Sequence, residues 1–170
     1  MDVPELIAKI RSLRIFVGED WSHGPYGASD ISRVEKSLGR LLDSTHKSML
    51  SEIGGNFGFE LGPVEVGCLG LNVSLFLGLD ETDPYNIANW EGYRDQVPRD
   101  WYPFAIDSDG HLFCLTLQGA VYHIELAEES PQRETRPDSA GQRIADSFAD
   151  LVLSLQLPEW AAAYLEEQES

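Results

Sequence analysis

The sequence predicts an α+β fold in a single domain spanning residues 1–170, an antiparallel sheet with N-terminal and C-terminal helices packed around it. Three observations carry that expectation. Helical periodicity of apolar residues is confined to the two ends of the chain, up to Ile53 and again after Gln142. Between Phe57 and Leu126 the apolar runs are short and broken by Gly, Pro, Asn and Asp, the punctuation of strands and turns. The whole is 170 residues with 42% hydrophobic and 24% charged residues, the make-up of one ordinary globular domain.

The elements follow in order. Pro4 suits a first helical turn, and Leu6, Ile7, Ile10 and Leu13 recur on one face, predicting a helix to about Phe16. Residues 17–28 hold Gly18, Gly24, Pro25 and Gly27 and read as a loop. A second helix begins near Ser29 or Asp30 with Ile31, Val34, Leu38 and Leu41 as its inner stripe. A third starts at Ser44 as cap and stops at Gly54-Gly55. Strands are expected at Phe57–Leu61, Val64–Cys68, Pro103–Asp107, Leu112–Leu117 and Ala120–Leu126. Ser108-Asp109-Gly110 and Gln118-Gly119 supply tight turns, so the last three form a meander. A short helix is expected near Ile87–Tyr93, and residues 128–141 read as a loop. Ser139 and Gln142 stand at capping-box spacing before Ile144, Phe148, Leu151, Val152 and Leu155, which predicts an amphipathic helix; Pro158 opens a last one.

Charge narrows the function. Twelve basic against 29 acidic residues give a net charge of −17. Residues 1–50 hold seven of each, so the entire excess lies in residues 51–170. Phosphate backbones and anionic membrane surfaces both need basic patches, which argues against nucleic acid or membrane as a partner. No stretch is long and apolar enough to span a bilayer, and Met1-Asp2-Val3-Pro4-Glu5 lacks the basic start of a signal peptide. With only Cys68 and Cys114, the expectation is a cytoplasmic, reducing-compartment protein.

Catalytic and metal patterns are weak. His111 and Cys114 lie three apart on a strand and so face opposite sides, which spoils them as ligands of one metal. His123 and Glu125 read as a partly exposed pair on a sheet surface. Asp107-Ser108-Asp109-Gly110 has the oxygens of a calcium loop but not its spacing, and is what a hairpin demands. No nucleophile elbow, phosphate loop or carboxylate–base pair is readable, so the expectation is a protein that is not an enzyme and needs no cofactor or metal.

What remains is surface. Asp80, Glu81, Asp83, Glu91 and Asp95 interleave with Trp90 and Trp101, a composition that suits a basic protein partner steered by carboxylates and anchored by aromatics. The competing reading keeps the aromatics in the core and the acids as a solvated face.

Glu35-x-x-Leu38-Gly39, then Gly54-Gly55-Asn56, then Tyr102-Pro103-Phe104-Ala105-x-Asp107-x-x-Gly110-x-x-x-Cys114, Val121-Tyr122 and Ile144-Ala145-Asp146-Ser147-Phe148 together resemble the SUKH superfamily in its Smi/Knr branch. The resemblance covers about residues 30–155, and departs where Leu42-Asp43 stands in place of Leu-Pro. It implies an α+β fold and a non-enzymatic role, commonly an immunity protein that neutralises a cognate bacterial toxin, such as a nuclease. A regulatory or scaffold module without a toxin is the alternative it also implies. Oligomeric state is left open.

Overall fold

The computed structural model describes residues 2–18, 23–82, 85–89, 96–126 and 141–169. Its helices are α1 (Val3–Ser12), α2 (Ala28–Leu38), α3 (Ser44–Glu52), α4 (Phe148–Ser154) and α5 (Glu159–Glu169). Its strands are β1 (Ile15–Phe16), β2 (Gly58–Phe59), β3 (Val64–Val66), β4 (Asn72–Val73), β5 (Leu75–Phe76), β6 (Tyr102–Ile106), β7 (Leu112–Leu115), β8 (Val121–Ile124), β9 (Gln142–Ala145) and β10 (Leu155–Gln156). Helices and antiparallel sheets mix in one chain, so the expected α+β class holds.

The centre is a five-stranded sheet in the order β5-β6-β7-β8-β9, every neighbour antiparallel. A second sheet, β10-β3-β4, and the two-stranded β1-β2 complete the strands. A bulge at Phe104 sets both Phe104 and Ala105 into the main core with Tyr102, Phe113, Leu115 and Val121. Onto that core α1 brings Leu6, Ile7 and Ile10, α3 brings Met49 and Leu50, and α4 brings Phe148, Leu151 and Val152. Phe57, Phe59, Phe76, Phe104 and Phe148 stack through its middle at centroid distances of 5.1–6.5 Å. Buried rings of this kind bring large apolar area and prefer tilted or edge-on contacts. The opposite face of the sheet has its own small cluster, where Leu112, Cys114 and Ile124 pack against Val97, Trp101, Ile106 and Leu126.

Local chemistry accounts for the helix ends. Asp2 caps α1 by accepting from the Glu5 N–H at 2.9 Å. Gly39 closes α2 in the left-handed region at φ 72. The α3 cap is Asp43 rather than Ser44: its Oδ1 accepts from the N–H groups of Thr45 and His46, both at 3.1 Å. A carboxylate at that position also meets the positive end of the helix, which favours it over a hydroxyl one residue on.

Several expectations need correction. The first helix ends at Ser12, and Ile15–Phe16 leave it to pair with Phe59 and Gly58. The helix expected from Gln142 starts only at Phe148, capped by Ser147, and Gln142–Ala145 pair with β8 instead. Pairing with β8 engages Gln142, Arg143 and Ala145, and it outweighs the helical spacing of these side chains. β4 and β5 carry no alternation that sequence reading could use, being two residues each. Ile87–Asn89 form a single 3-10 turn; residues 90–93 of the expected helix, residues 128–140 of the expected loop and the Ser139 cap lie outside the described residues.

The Gly54-Gly55-Asn56 motif is a seam where three chain segments touch. A Cβ on Gly54 would stand 1.7 Å from the His23 carbonyl oxygen, and one on Gly55 2.3 Å from that of Leu77. Gly55 N–H donates to His23 at 2.8 Å, and Tyr26 N–H to Leu50 at 3.0 Å. Only glycine permits that approach.

Candidate partner-binding surface

The two described ends of the acid-rich stretch each meet an arginine, one on α2 and one just after it. Arg33 on α2 donates to the Leu79 carbonyl at 2.8 Å and pairs with Glu81 at 3.3 Å and Asp30 at 3.5 Å. Arg40, just past the end of the same helix, donates to the Asp100 carbonyl at 2.6 Å and lies over the Tyr102 ring at 4.7 Å. The 3-10 turn between these points also packs against α2. Arg33 lies within α2, whereas Arg40 follows the left-handed Gly39 that ends it, so the turn after the helix aims the second guanidinium. No spacing in the sequence signals which carbonyls the two guanidinium groups meet.

The candidate residues fall in different settings. Asp80 is half-buried, and its Oδ1 accepts from the backbone N–H and hydroxyl of Thr82 at 2.9 and 2.8 Å, a turn held by the side chain. Glu81 reaches Arg33 with a side chain 69% exposed. Trp101 is half-buried on the other side of the sheet, its ring 4.5 Å from that of Tyr122 and packed on the Leu112–Cys114–Ile124 cluster. Asp83, Trp90, Glu91 and Asp95 lie outside the described residues. Asp80 and Glu81 thus belong to the α2 side, while Trp101 belongs to the far face of the meander.

Two buried polar clusters went unread in the sequence. Behind Arg40, the Tyr102 hydroxyl accepts from the Asp43 N–H at 3.0 Å and bonds His46 Nδ1 at 2.9 Å. The other ring nitrogen of His46 is Nε2. That nitrogen is buried among the rings of Phe104 and Phe148 without a hydrogen-bond partner. Burial, with the Arg40 charge adding to it, lowers the His46 pKa to about 3, so it is neutral near pH 7. Burial likewise pushes the Tyr102 hydroxyl up.

The second cluster corrects the reading of His123. It is buried, not partly exposed, and its Nε2 meets Asp107 Oδ2 at 2.8 Å. Asp107 Oδ1 meanwhile accepts from the N–H groups of Asp109 and His111 at 2.9 and 2.8 Å, closing the β6–β7 hairpin. His111 Nδ1 accepts from the Leu126 N–H at 2.9 Å. Both carboxylate oxygens are committed to holding strands and turn together, which makes this pair a fastener of the meander. Among the described residues, no three of His, Cys, Asp or Glu gather in a way that could hold a metal ion, and no helix is long and apolar enough to cross a membrane.

The motif residues therefore have structural duties. Glu35 Oε2 accepts from the Leu42 N–H at 2.7 Å and pairs with Lys47 at 3.0 Å, fixing the α2–α3 connection. Tyr102 ties β6 to the start of α3, Asp107 fastens the meander, and the Gly54–Gly55 seam lets the segments at His23 and Leu77 come close. None of the curated proteins compared with the chain matches it. The family model of the SMI1 / KNR4 family (SUKH-1) matches residues 25–154, which takes in α2, α3, the whole five-stranded sheet and α4. On that match, covering well over half of its length and all of the motif-bearing elements, the chain belongs to the SMI1 / KNR4 family (SUKH-1).

Proposed function

We propose that the chain is a non-enzymatic immunity protein that binds a cognate bacterial toxin and neutralises it stoichiometrically in the cytoplasm of the cell that makes it. Family membership supports the immunity reading. The observation that carries the mechanism is the placement of charge: the whole net −17 resides in residues 51–170, and the ends of the acid-rich stretch meet Arg33 of α2 and Arg40 just after it. A basic toxin, a nuclease above all, has a groove built for phosphates. Carboxylates of residues 80–100 would enter that groove in the phosphates' stead and speed encounter by long-range attraction.

The immunity reading expects a toxin domain encoded beside the gene for this chain, and the test uses that domain. The expected result is a 1:1 complex by calorimetry and loss of toxin activity, with association slowing as salt rises. Replacing Asp80, Glu81, Asp83 and Glu91 together by Lys is expected to weaken the complex at least about tenfold, since each like-charge contact opposes docking. A complex indifferent to this reversal overturns the surface assignment. No complex at all, with recovery of several housekeeping proteins instead, moves the reading to an interaction module without a toxin.

A further inference from the structure

We infer that His111 is a proton-operated clasp at the end of the meander: neutral, it holds Leu126 against the sheet, and protonated, it lets Leu126 go. The β7–β8 ladder runs from Leu115↔Val121 to Leu112↔Ile124 and stops there. Carried on by two residues, the same register would set Leu126 opposite Gly110, but Gly110 turns the β6–β7 hairpin at φ 84. The Leu126 N–H goes instead to the His111 ring, donating to Nδ1 at 2.9 Å. A backbone N–H has one proton to give, so Nδ1 must offer its lone pair, and the single proton of the ring sits on Nε2. The bond therefore exists in the neutral ring alone. An imidazolium carries N–H on both nitrogens, and its Nδ1 would face the Leu126 donor with a second donor.

The backbone of His111 is pinned while its ring changes state. Its N–H donates to Asp107 Oδ1 at 2.8 Å, and its carbonyl accepts from the Asp107 N–H at 2.9 Å. The charged and titratable groups around it are Asp107 at the end of β6, Asp109 in the turn, His123 on β8 and Glu125 just after β8. The His123 ring stands edge-on to that of His111 at 6.1 Å, with its Nε2 on Asp107 Oδ2. The two histidines thus play different parts. As a donor to a carboxylate, His123 keeps its bond in either charge state, whereas His111, as an acceptor, keeps its bond in one. Leu126 is half-buried against Leu112, Cys114 and Ile124 on the far face of the sheet. Loss of its N–H partner frees the point at which the chain leaves that face and spares the ladder before it. Histidine changes charge between about pH 5 and 8, so the clasp opens in mild acid. This device stands independently of the neutralisation reading.

The test follows the isotopically labelled full chain by NMR from about pH 8 to 5. The Leu126 amide is expected to shift with the same midpoint as the His111 ring nitrogens. Its protection against hydrogen exchange is expected to fall about tenfold relative to Ile124, the scale of one lost hydrogen bond. Ile124 lies in the ladder and corrects for any loss of stability of the whole fold in acid. His111→Asn sets an amide oxygen close to where Nδ1 stands and takes up no proton, so Leu126 is expected to stay protected throughout. His123→Gln removes the neighbouring titration and is expected to leave the Leu126 response in place. A Leu126 amide that holds its shift and protection while His111 titrates overturns the clasp, as does a His111 ring that takes up no proton in this range. A response that follows the His123 midpoint, or that persists in His111→Asn, overturns it too. If either variant folds poorly, the titration of the unaltered chain decides.

Discussion

The junction of α2, α3 and β6 and the helix α5 sit in the same chain under opposite physical regimes. At the junction Glu35, Arg40, Asp43, His46 and Tyr102 are knitted by bonds of 2.6–3.1 Å around a core of phenylalanine rings. Side chains there are tied to neighbouring backbone and to one another, and His46 Nε2 is sealed among rings. On α5 only Ala161 is buried, and the two largest side chains face water. The difference teaches where recognition can reside: residues committed to holding the fold are poor candidates for a changing partner, while those the fold does not need are free to be chosen by one. The motifs of the family lie in the first class. They identify the scaffold and say little about the contact.

The comparison is sharpest under truncation. Phe104→Ala removes a ring that meets Phe76, Phe113, Phe148 and His46 at 5.3–6.5 Å, and is expected to cost about 3–5 kcal/mol of unfolding free energy. Trp160→Ala deletes a larger side chain and is expected to change stability by less than about 0.5 kcal/mol. Urea unfolding of both variants measures this. A Trp160→Ala cost comparable to that of Phe104→Ala would erase the distinction between the two regions.

Acid is the next lever. His46 is neutral in the folded state with a pKa near 3, against 6.5 for the free side chain. The unfolded chain therefore takes up a proton below pH 6.5 that the folded chain refuses, so the stability from burying neutral His46 is whole above that pH and drains as pH falls toward 3. By pH 4 the loss is expected to reach about 3 kcal/mol. Comparing denaturation midpoints of the unaltered chain and His46→Phe across pH 4–7 isolates it, since the variant is expected to lose stability less steeply over that window. Parallel slopes would show that His46 is not held neutral. A smaller loss than that of Phe104→Ala or of acid is expected for Glu35→Ala, about 1–2 kcal/mol for the orphaned Leu42 N–H and the Lys47 pair, read as a shift in melting temperature.

Much of the scaffold was legible because its causes are local. Gly39 and Gly54-Gly55 mark helix ends, and Asp107 to Gly110 make a hairpin through hydrogen bonds within five residues. The errors came where distant pairing overrode local pattern. Gln142–Ala145 has helical spacing but finds β8, and His123 looks like a surface residue until the β6–β7 turn delivers Asp107 to it. The candidate surface was legible only as composition. That Asp80 and Glu81 flank α2 while Trp101 stacks on Tyr122 across the sheet is beyond any spacing rule.

By itself, then, the sequence determined the α+β class, the uneven distribution of charge and membership of the family, because periodicity, composition and motif order are properties of neighbours along the chain. Only the tertiary structure decided that Arg33 and Arg40 meet the ends of the acid-rich stretch, that His46 is sealed neutral behind Tyr102, and that α5 leaves its aromatics in water. Those outcomes depend on residues many tens of positions apart meeting in space. There the burial of apolar area and the need to pair every buried polar group set the geometry.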